Sequence, residues 1–372
     1  MRPWLTLRKK KNHKAVLKRN LISHSHYDYT NFLRMTPQCF EKLLSKVGPL
    51  IKKKDNQFRK AISPRSRLIA VLRILITGDN LSQSQFSSCI SRQSLGYILL
   101  ETCQAIIEVL GNELLLPTTS EQWFALAKES ESKWGFPHCL GSFDGMHIRI
   151  LKPPKSIVLF ALCDCNCRFI YANIGASEGG SDGGIFLRSE FLKRLNTNKL
   201  GLPGPKIRMG HELPFVFLGD QAFRLRPDFM CPHSDRVRNL SRAQEMFDKY
   251  LSRSRQTIEN AFGQLVNRFE IFKKPLRYKL STNRAIVRSC LYLHNFLRTE
   301  TNFPAIVADA SIGVVPRLKV APNTFSNRNL EREAKRVRNS FVNFFQAQPQ
   351  AFHNRHTWLT FSKCYNKCFN KM

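Results

Sequence analysis

The sequence predicts an α/β chain in which an all-α N-terminal region precedes a layer of strands and helices. Three observations predict it. Apolar residues recur at three- and four-residue steps through residues 31–133, short apolar runs replace them over 139–218, and long helical stripes return over 241–299. With 42% hydrophobic residues in a length of 372, the chain can bury a sizeable core.

Residues 1–30 form a basic arm whose Arg8, Lys9, Lys10, Lys11, Lys14, Lys18 and Arg19 suit nuclear import or contact with backbone phosphates. Over 31–51, Phe32, Leu33, Phe40, Leu43, Leu44 and Val47 make a helical stripe, with Pro37 near a start and Gly48-Pro49 as a stop. Ser63 before Pro64 is a capping serine ahead of a first-turn proline, and the helix it opens ends at Gly78. A short helix over 82–88, a break at Cys89-Ile90-Ser91 and a longer helix over 92–110 have the proportions of a helix-turn-helix unit. Its second helix begins Ser91-Arg92-Gln93-Ser94, and Arg92 and Gln93 are residue types that reach base edges and phosphates. A connecting helix over 121–133 completes a helical, helix-turn-helix-like DNA-binding region at 31–135.

The pattern then changes. Strands are expected at 139–151, 157–163, 168–174 and 214–218, and helices at 241–272 and 282–299, which defines a second domain at 136–300. Residues 301–372 read as a linker with Pro304, Pro316 and Pro322, a terminal helix near 330–345 and an irregular basic tail.

The formal charge of +32, from 59 Lys+Arg against 27 Asp+Glu, favours a polyanion, and nucleic acid over a membrane surface, as partner. A run of eighteen apolar residues and an apolar signal region are both missing from the sequence, so membrane insertion and secretion are not expected. Eleven irregularly spaced cysteines suit a reducing compartment, nucleus or cytosol. Cys163, Cys165 and Cys167 alternate, but Asp164 and Asn166 between them indicate a hairpin turn rather than a zinc site. Cys364 and Cys368 in the tail likewise lack zinc-finger spacing.

Against this basic background three acids stand out. Asp144 in Gly-Ser-Phe-Asp-Gly and Asp220 in Phe-Val-Phe-Leu-Gly-Asp-Gln-Ala-Phe each follow an apolar run, and Glu259 lies at the edge of a helix whose apolar face is Ile258, Phe262, Leu265 and Phe269. Pairing of the two strands would bring the aspartates side by side, with a glycine neighbour at each for close approach of a ligand. Phosphodiester cleavage is helped by two divalent cations about 4 Å apart, and carboxylates on rigid elements are the ligands such hard ions prefer. Asp182, in a glycine-rich segment, is a fourth candidate ligand. Arg253, Arg255 and Arg268 on the Glu259 helix are candidates to hold DNA phosphates, and His147 to support Asp144.

These residues fall within an ordered string of motifs. Phe-Leu-Arg-Met-Thr stands at 32–36, Ile-Ser-Pro-Arg-Ser-Arg-Leu at 62–68, Trp-Gly-Phe-Pro-His-Cys-Leu-Gly-Ser-Phe-Asp-Gly-Met-His at 134–147 and Ser-Asp-Gly-Gly-Ile-Phe at 181–186. Gly-Asp-Gln-Ala-Phe at 219–223, Leu-Ser-Arg-Ser-Arg at 251–255, Ile-Glu-Asn-Ala-Phe-Gly at 258–263 and Leu-His-Asn-Phe-Leu at 293–297 continue it. Over roughly residues 30 to 345 the chain resembles the transposases of the PIF/Harbinger superfamily and the nucleases derived from them. That resemblance implies an RNase H-like catalytic domain, Asp144, Asp220 and Glu259 as its acidic triad, Asp182 as a further metal ligand, and Mg²⁺ or Mn²⁺ as cofactor. It also implies DNA as substrate and a separate Myb-like DNA-binding protein as partner; the basic run and the cysteine usage make the nucleus, with the cytoplasm as alternative, the expected location. A homo-oligomer is compatible with the sequence, which does not set the oligomeric state.

The expected function is a divalent-metal-dependent DNA endonuclease or transposase, with strand transfer as a second use of the same chemistry. The rival expectation is a DNA- or chromatin-binding protein descended from such an enzyme. It arises because family members carry a longer segment, with a Tyr-Lys-Gly stretch, where Pro153-Pro154-Lys155-Ser156 here joins two strands directly beside Asp144.

Overall fold

The computed structural model describes residues 26–57, 60–151, 156–177, 182–234, 239–300 and 328–347. Residues 1–25 of the basic arm expected at 1–30, the junction at 152–155, the linker at 301–327 and the tail from 348 onward, with Cys364 and Cys368, lie outside the described residues.

The helical region is α1 (His26–Leu33), α2 (Pro37–Ile51), α3 (Pro64–Thr77), α4 (Leu81–Ser88), α5 (Arg92–Val109) and α6 (Ser120–Trp134). The predicted single stripe over 31–51 is two helices, because Arg34 takes a left-handed φ of 51° and Thr36 caps the second by accepting from the Cys39 N–H. Ser63 and Pro64 open α3 as expected, and Gly78, left-handed at φ 64°, closes it. The break between α4 and α5 is a left-handed Cys89 at φ 53°, after which Ser91 caps α5.

A five-stranded sheet follows, built from β1 (Cys139–Arg149), β2 (Ser156–Cys163), β3 (Phe169–Ser177), β6 (Val216–Leu218) and β7 (Phe229–Met230). Its order is β3-β2-β1-β6-β7. The first three strands form an antiparallel meander, while β6 runs parallel to β1 and β7 parallel to β6. This mixed α/β layer is consistent with an RNase H-like domain. The short β4 (Lys206–Arg208) and β5 (His211–Leu213) make a separate hairpin, and α7 (Asp182–Leu187) and α8 (Glu190–Asn196) precede it. These small elements have too few residues to show a period in the sequence. The predicted turn between β2 and β3 is present: Asp164 Oδ1 accepts from the N–H groups of Asn166 and Arg168 at 2.8 and 2.9 Å. Cys163, Cys165 and Cys167 are buried free thiols.

Both faces of the sheet are covered. Met146, Ile148, Ile157, Leu159 and Ala161 face α9 (Arg242–Arg268) and α10 (Leu280–Glu300), in one continuous core with the helices of the N-terminal region. The 31–135 segment is therefore joined to the sheet by shared apolar packing rather than tethered to it. On the other face Leu140, Phe143, Phe160 and Phe217 pack with Trp123 of α6 and Phe191 of α8, and the Trp123 Nε1–H donates to the Leu200 carbonyl at 2.7 Å. The terminal helix α11 (Arg328–Ala347) packs against α9 through Phe341 and Phe345, whose rings meet Phe136 and Tyr250. Among the described residues no helix is long and apolar enough to cross a membrane.

The Leu-His-Asn-Phe-Leu motif is structural. Asn295, fully buried on α10, accepts from the Phe169 N–H at 2.9 Å and donates through Nδ2 to the Phe169 and Glu113 carbonyls at 2.7 and 2.6 Å. A single amide thus replaces a neighbouring strand at the start of β3. His294 beside it faces the Cys167 carbonyl at 2.9 Å, and burial holds its pKa down to about 3, so the ring is neutral. Replacing Asn295 with Ala strands two buried backbone groups of Phe169 and the half-buried Glu113 carbonyl, and should cost about 2–4 kcal/mol in denaturant unfolding; a loss below about 0.5 kcal/mol would mean that apolar packing alone holds α10 to the sheet.

Candidate active site on the central strand

Strand β1 is the middle of the sheet, and its side chains alternate between two covered faces. Ser142, Asp144, Met146 and Ile148 therefore turn toward α9, while Phe143 turns into the opposite aromatic cluster, stacked on Phe160 at 5.0 Å. The parallel register pairs Ser142 with Leu218, so Asp144 and Asp220 each stand two residues further along neighbouring strands, at the same level.

Helix α9 supplies the third acid. Its capping box at Ser241 and Gln244 starts 27 residues of helix whose buried stripe includes Leu251, Ser254, Ile258, Phe262 and Leu265. Two polar contacts set its position on the sheet: Ser142 Oγ donates to the Ser254 carbonyl at 3.2 Å, and the Cys163 thiol meets Thr257 Oγ1 at 3.4 Å. Glu259, at the edge of that stripe as expected, lies close enough to Asp144 to raise its pKa, with its side chain 17% exposed.

The acids feel one another. Asp144 is only 7% exposed, and its pKa is pushed up to about 7, first by burial and further by the Asp220 and Glu259 carboxylates; Arg255 and the Gly145 N–H oppose the rise. That N–H donates to Asp144 Oδ1 at 2.8 Å, and the Ala222 N–H donates to Asp220 Oδ1 at 2.8 Å. Asp220 is aimed by Gly219, where a Cβ would come within 2.4 Å of the Phe229 ring. The glycine is thus required for packing against Phe229 and Phe223.

The predicted arginines separate into three situations. Arg255 is 13% exposed and sits between two acids, its Nη2 donating to Glu259 Oε1 at 2.6 Å and its Nη1 lying 3.8 Å from Asp144 Oδ2. It holds carboxylates where a phosphate contact was expected. Arg253 is half-buried on the same helix. Arg268, expected beside the phosphates, is 8% exposed, with Nε and Nη1 lacking hydrogen-bond partners among the described residues, and burial pulls its pKa down to about 10. It belongs to the interior and is not a surface phosphate ligand. Sequence reasoning missed the role of Arg255, although the Arg-x-x-x-Glu spacing that places it one turn before Glu259 was a legible signal.

His147 is also corrected. Its odd position puts it on the face of β1 opposite Asp144, where Nδ1 lies 3.4 Å from Ser156 Oγ and burial lowers its pKa. Asp182 opens α7, but its side chain lies outside the described atoms. Arg92 and Gln93 are exposed at the start of α5 and line an open groove with Lys53, Lys60, Arg67 and Lys279, a surface separate from the acids. Among the described residues no three His, Cys, Asp or Glu side chains stand together ready to hold an ion.

The native state keeps the Asp144 proton up to about pH 7, whereas an unfolded chain releases it near the usual carboxylate value of about 4. Folding stability from this group therefore falls as pH rises across that window. Asp144→Asn, which removes the ionisation, should raise the melting temperature by a few degrees at about pH 8 in chelator and by much less at about pH 5. Equal shifts at both pH values would show that Asp144 ionises without strain.

The sequence of residues 143–295 matches the family of DDE superfamily endonucleases. Among curated proteins, the chain is 23% identical over 257 residues to the cattle protein named "Putative nuclease HARBI1", covering 65% of this chain and 69% of that protein. The human protein of the same name is 22% identical over 258 residues with the same coverage. No solved structure is a significant match to the chain. The matched residues, 143–295, hold Asp144, Asp220, Arg255 and Glu259.

Proposed function

We propose that this chain is a divalent-metal-dependent DNA endonuclease of transposase descent, cutting phosphodiester bonds with Asp144, Asp220 and Glu259. The observation that carries the reading is the buried Asp144 carboxyl on a central strand, raised to about 7 by burial and by two neighbouring carboxylates inside an endonuclease-family domain. Structural acids in so basic a chain would pair one by one with surface cations, whereas these crowd one another.

The residue types suit a divalent cation, although among the described residues no three of them stand gathered as a ready-made site. The donor set is three carboxylates, the hard oxygens that Mg²⁺ and Mn²⁺ prefer, and the cluster already draws a cation in the Arg255 guanidinium. Asp144, Asp220 and Glu259, with Asp182, would hold the metal, which when bound would stabilise charge developing on the phosphate and leaving oxygen. The protein's own part is to fix the carboxylates on rigid elements: Asp144 between two paired strands, Asp220 at a strand end braced by the Ala222 N–H, and Glu259 on a helix bolted to β1 and β2. Asp144 itself is 7% exposed, so little water reaches it.

DNA would be gathered by the basic surface. Arg92 and Gln93 present α5 to the groove beside Lys53, Lys60 and Lys279, which supports the helix-turn-helix reading of the N-terminal region, and Arg253 would add a phosphate contact near the acids. The same reading assigns the protein to the nucleus, with a Myb-like DNA-binding protein as partner and a homo-oligomer as working state, and makes strand transfer a second outcome of the chemistry.

Purified protein with Mn²⁺ at low salt should nick supercoiled plasmid, and Asp220→Asn should abolish nicking while sparing DNA binding. Binding lost together with cleavage would make Asp220 structural; cleavage by neither protein, with DNA still bound, would identify a silenced DNA-binding descendant. Arg92→Ala should weaken DNA binding alike on all sequences and lower the slope of log affinity against log salt by about 1. An unchanged slope would place the phosphate contacts elsewhere.

A further inference from the structure

Arg255 is held more firmly than an ordinary helix arginine. One side of its guanidinium is tied to Glu259 Oε1 at 2.6 Å, and the other faces Asp144 Oδ2 at 3.8 Å, too far for a hydrogen bond, so that Nη1 is buried without a hydrogen-bond partner among the described residues. An exposed pair one helical turn apart contributes a few tenths of a kcal/mol, but here the side chain is 13% exposed and its charge is met chiefly by Glu259.

Those acids are two of the three that the proposed metal site needs. Glu259 has its Oε1 committed to Arg255, and Asp144 has Oδ1 committed to the Gly145 N–H, which leaves Oδ2, the oxygen Arg255 faces. A divalent cation on Asp144 and Glu259 would draw on the same oxygens, and a fixed guanidinium at that range would repel it in a poorly solvated pocket.

We propose that Arg255 is an internal competitor for the divalent cation, a positioning residue whose bond to Glu259 must break before Asp144 and Glu259 can hold the metal together. This rests on the metal-site reading above. The side chain that limits metal affinity is thus encoded one turn ahead of the ligand it guards, and its release puts a second arginine beside Arg253 on the helix proposed to face DNA.

The test is titration of the full chain with Mn²⁺ alone, following the electron paramagnetic resonance signal of the free ion, for wild type, Arg255→Gln and Glu259→Gln. Arg255→Gln should bind Mn²⁺ tighter by about tenfold, since a charge-assisted hydrogen bond no longer has to be broken. Unchanged or weaker binding in a variant that melts cooperatively overturns the proposal, because Arg255 would then be a support for the carboxylates. Should Arg255→Gln fail to fold, Arg255→Lys carries the test: it keeps the charge and loses the planar fork, so tighter binding than wild type supports competition and equal or weaker binding overturns it. Glu259→Gln separates the two readings. If it abolishes binding while Arg255→Gln changes nothing, the competitor alone is wrong; if neither variant alters Mn²⁺ binding, the metal site itself is wrong and the competitor with it.

Discussion

The structure depends on a central strand that is buried on both faces. Alternation along β1 sends Phe143 into an aromatic cluster and Asp144 under helix α9, so one residue anchors the strand while its neighbour is forced into a poorly solvated position. Everything else arranges itself around that burial. The neighbouring parallel strand ends level with Ser142, which brings Asp220 level with Asp144, the long helix lies across them, and Asp220 and Glu259 act on a carboxyl that cannot retreat to water. An Asp at a surface position of the same strand would impose none of this.

Electrostatics then sets the character of the site. The chain carries 59 basic residues against 27 acidic ones, and yet its three site carboxylates are close enough to raise the pKa of Asp144. Arg255 offsets part of that repulsion by standing between Asp144 and Glu259. The site is therefore a stored electrostatic cost, tolerated because the surrounding core over-determines the geometry, which is the pattern of sites organised around function.

Much of the motif string serves that geometry rather than chemistry. Gly219 lets Phe229 and Phe223 close against the strand end that carries Asp220. Gly141, at φ 140°, permits an approach to the Cys163 carbonyl that a Cβ would block at 2.5 Å, where the β1 and β6 register shifts. Asn295 stitches α10 to β3, and Ser142 and Cys163 hold α9 to the sheet through Ser254 and Thr257. The N-terminal helices enter the same core, so the groove lined by Arg92 and the strand that carries Asp144 belong to one packed body.

Local signals were enough for most of the elements and for the acids. Ser63-Pro64, Gly78 and the Cys89-Ile90-Ser91 break mark helix ends through capping and backbone preferences that act within a few residues, and the sequence alone placed them correctly. Asp144 and Asp220 stood out as acids at the ends of apolar runs in a basic chain, and Glu259 as an acid at the edge of an apolar helix face. The short β4, β5 and β7 were not legible, since two or three residues carry no period. Nor was the fate of the arginines. Arg253, Arg255 and Arg268 look alike in sequence, but helix phase and the neighbours that tertiary packing brings make one half-buried, one a partner of two carboxylates and one an interior cation. Sequence by itself determined which residues stand on which elements; the tertiary structure decided which charges meet, because ion pairing depends on distance and solvent access, and both are set by the packing of elements far apart in the chain.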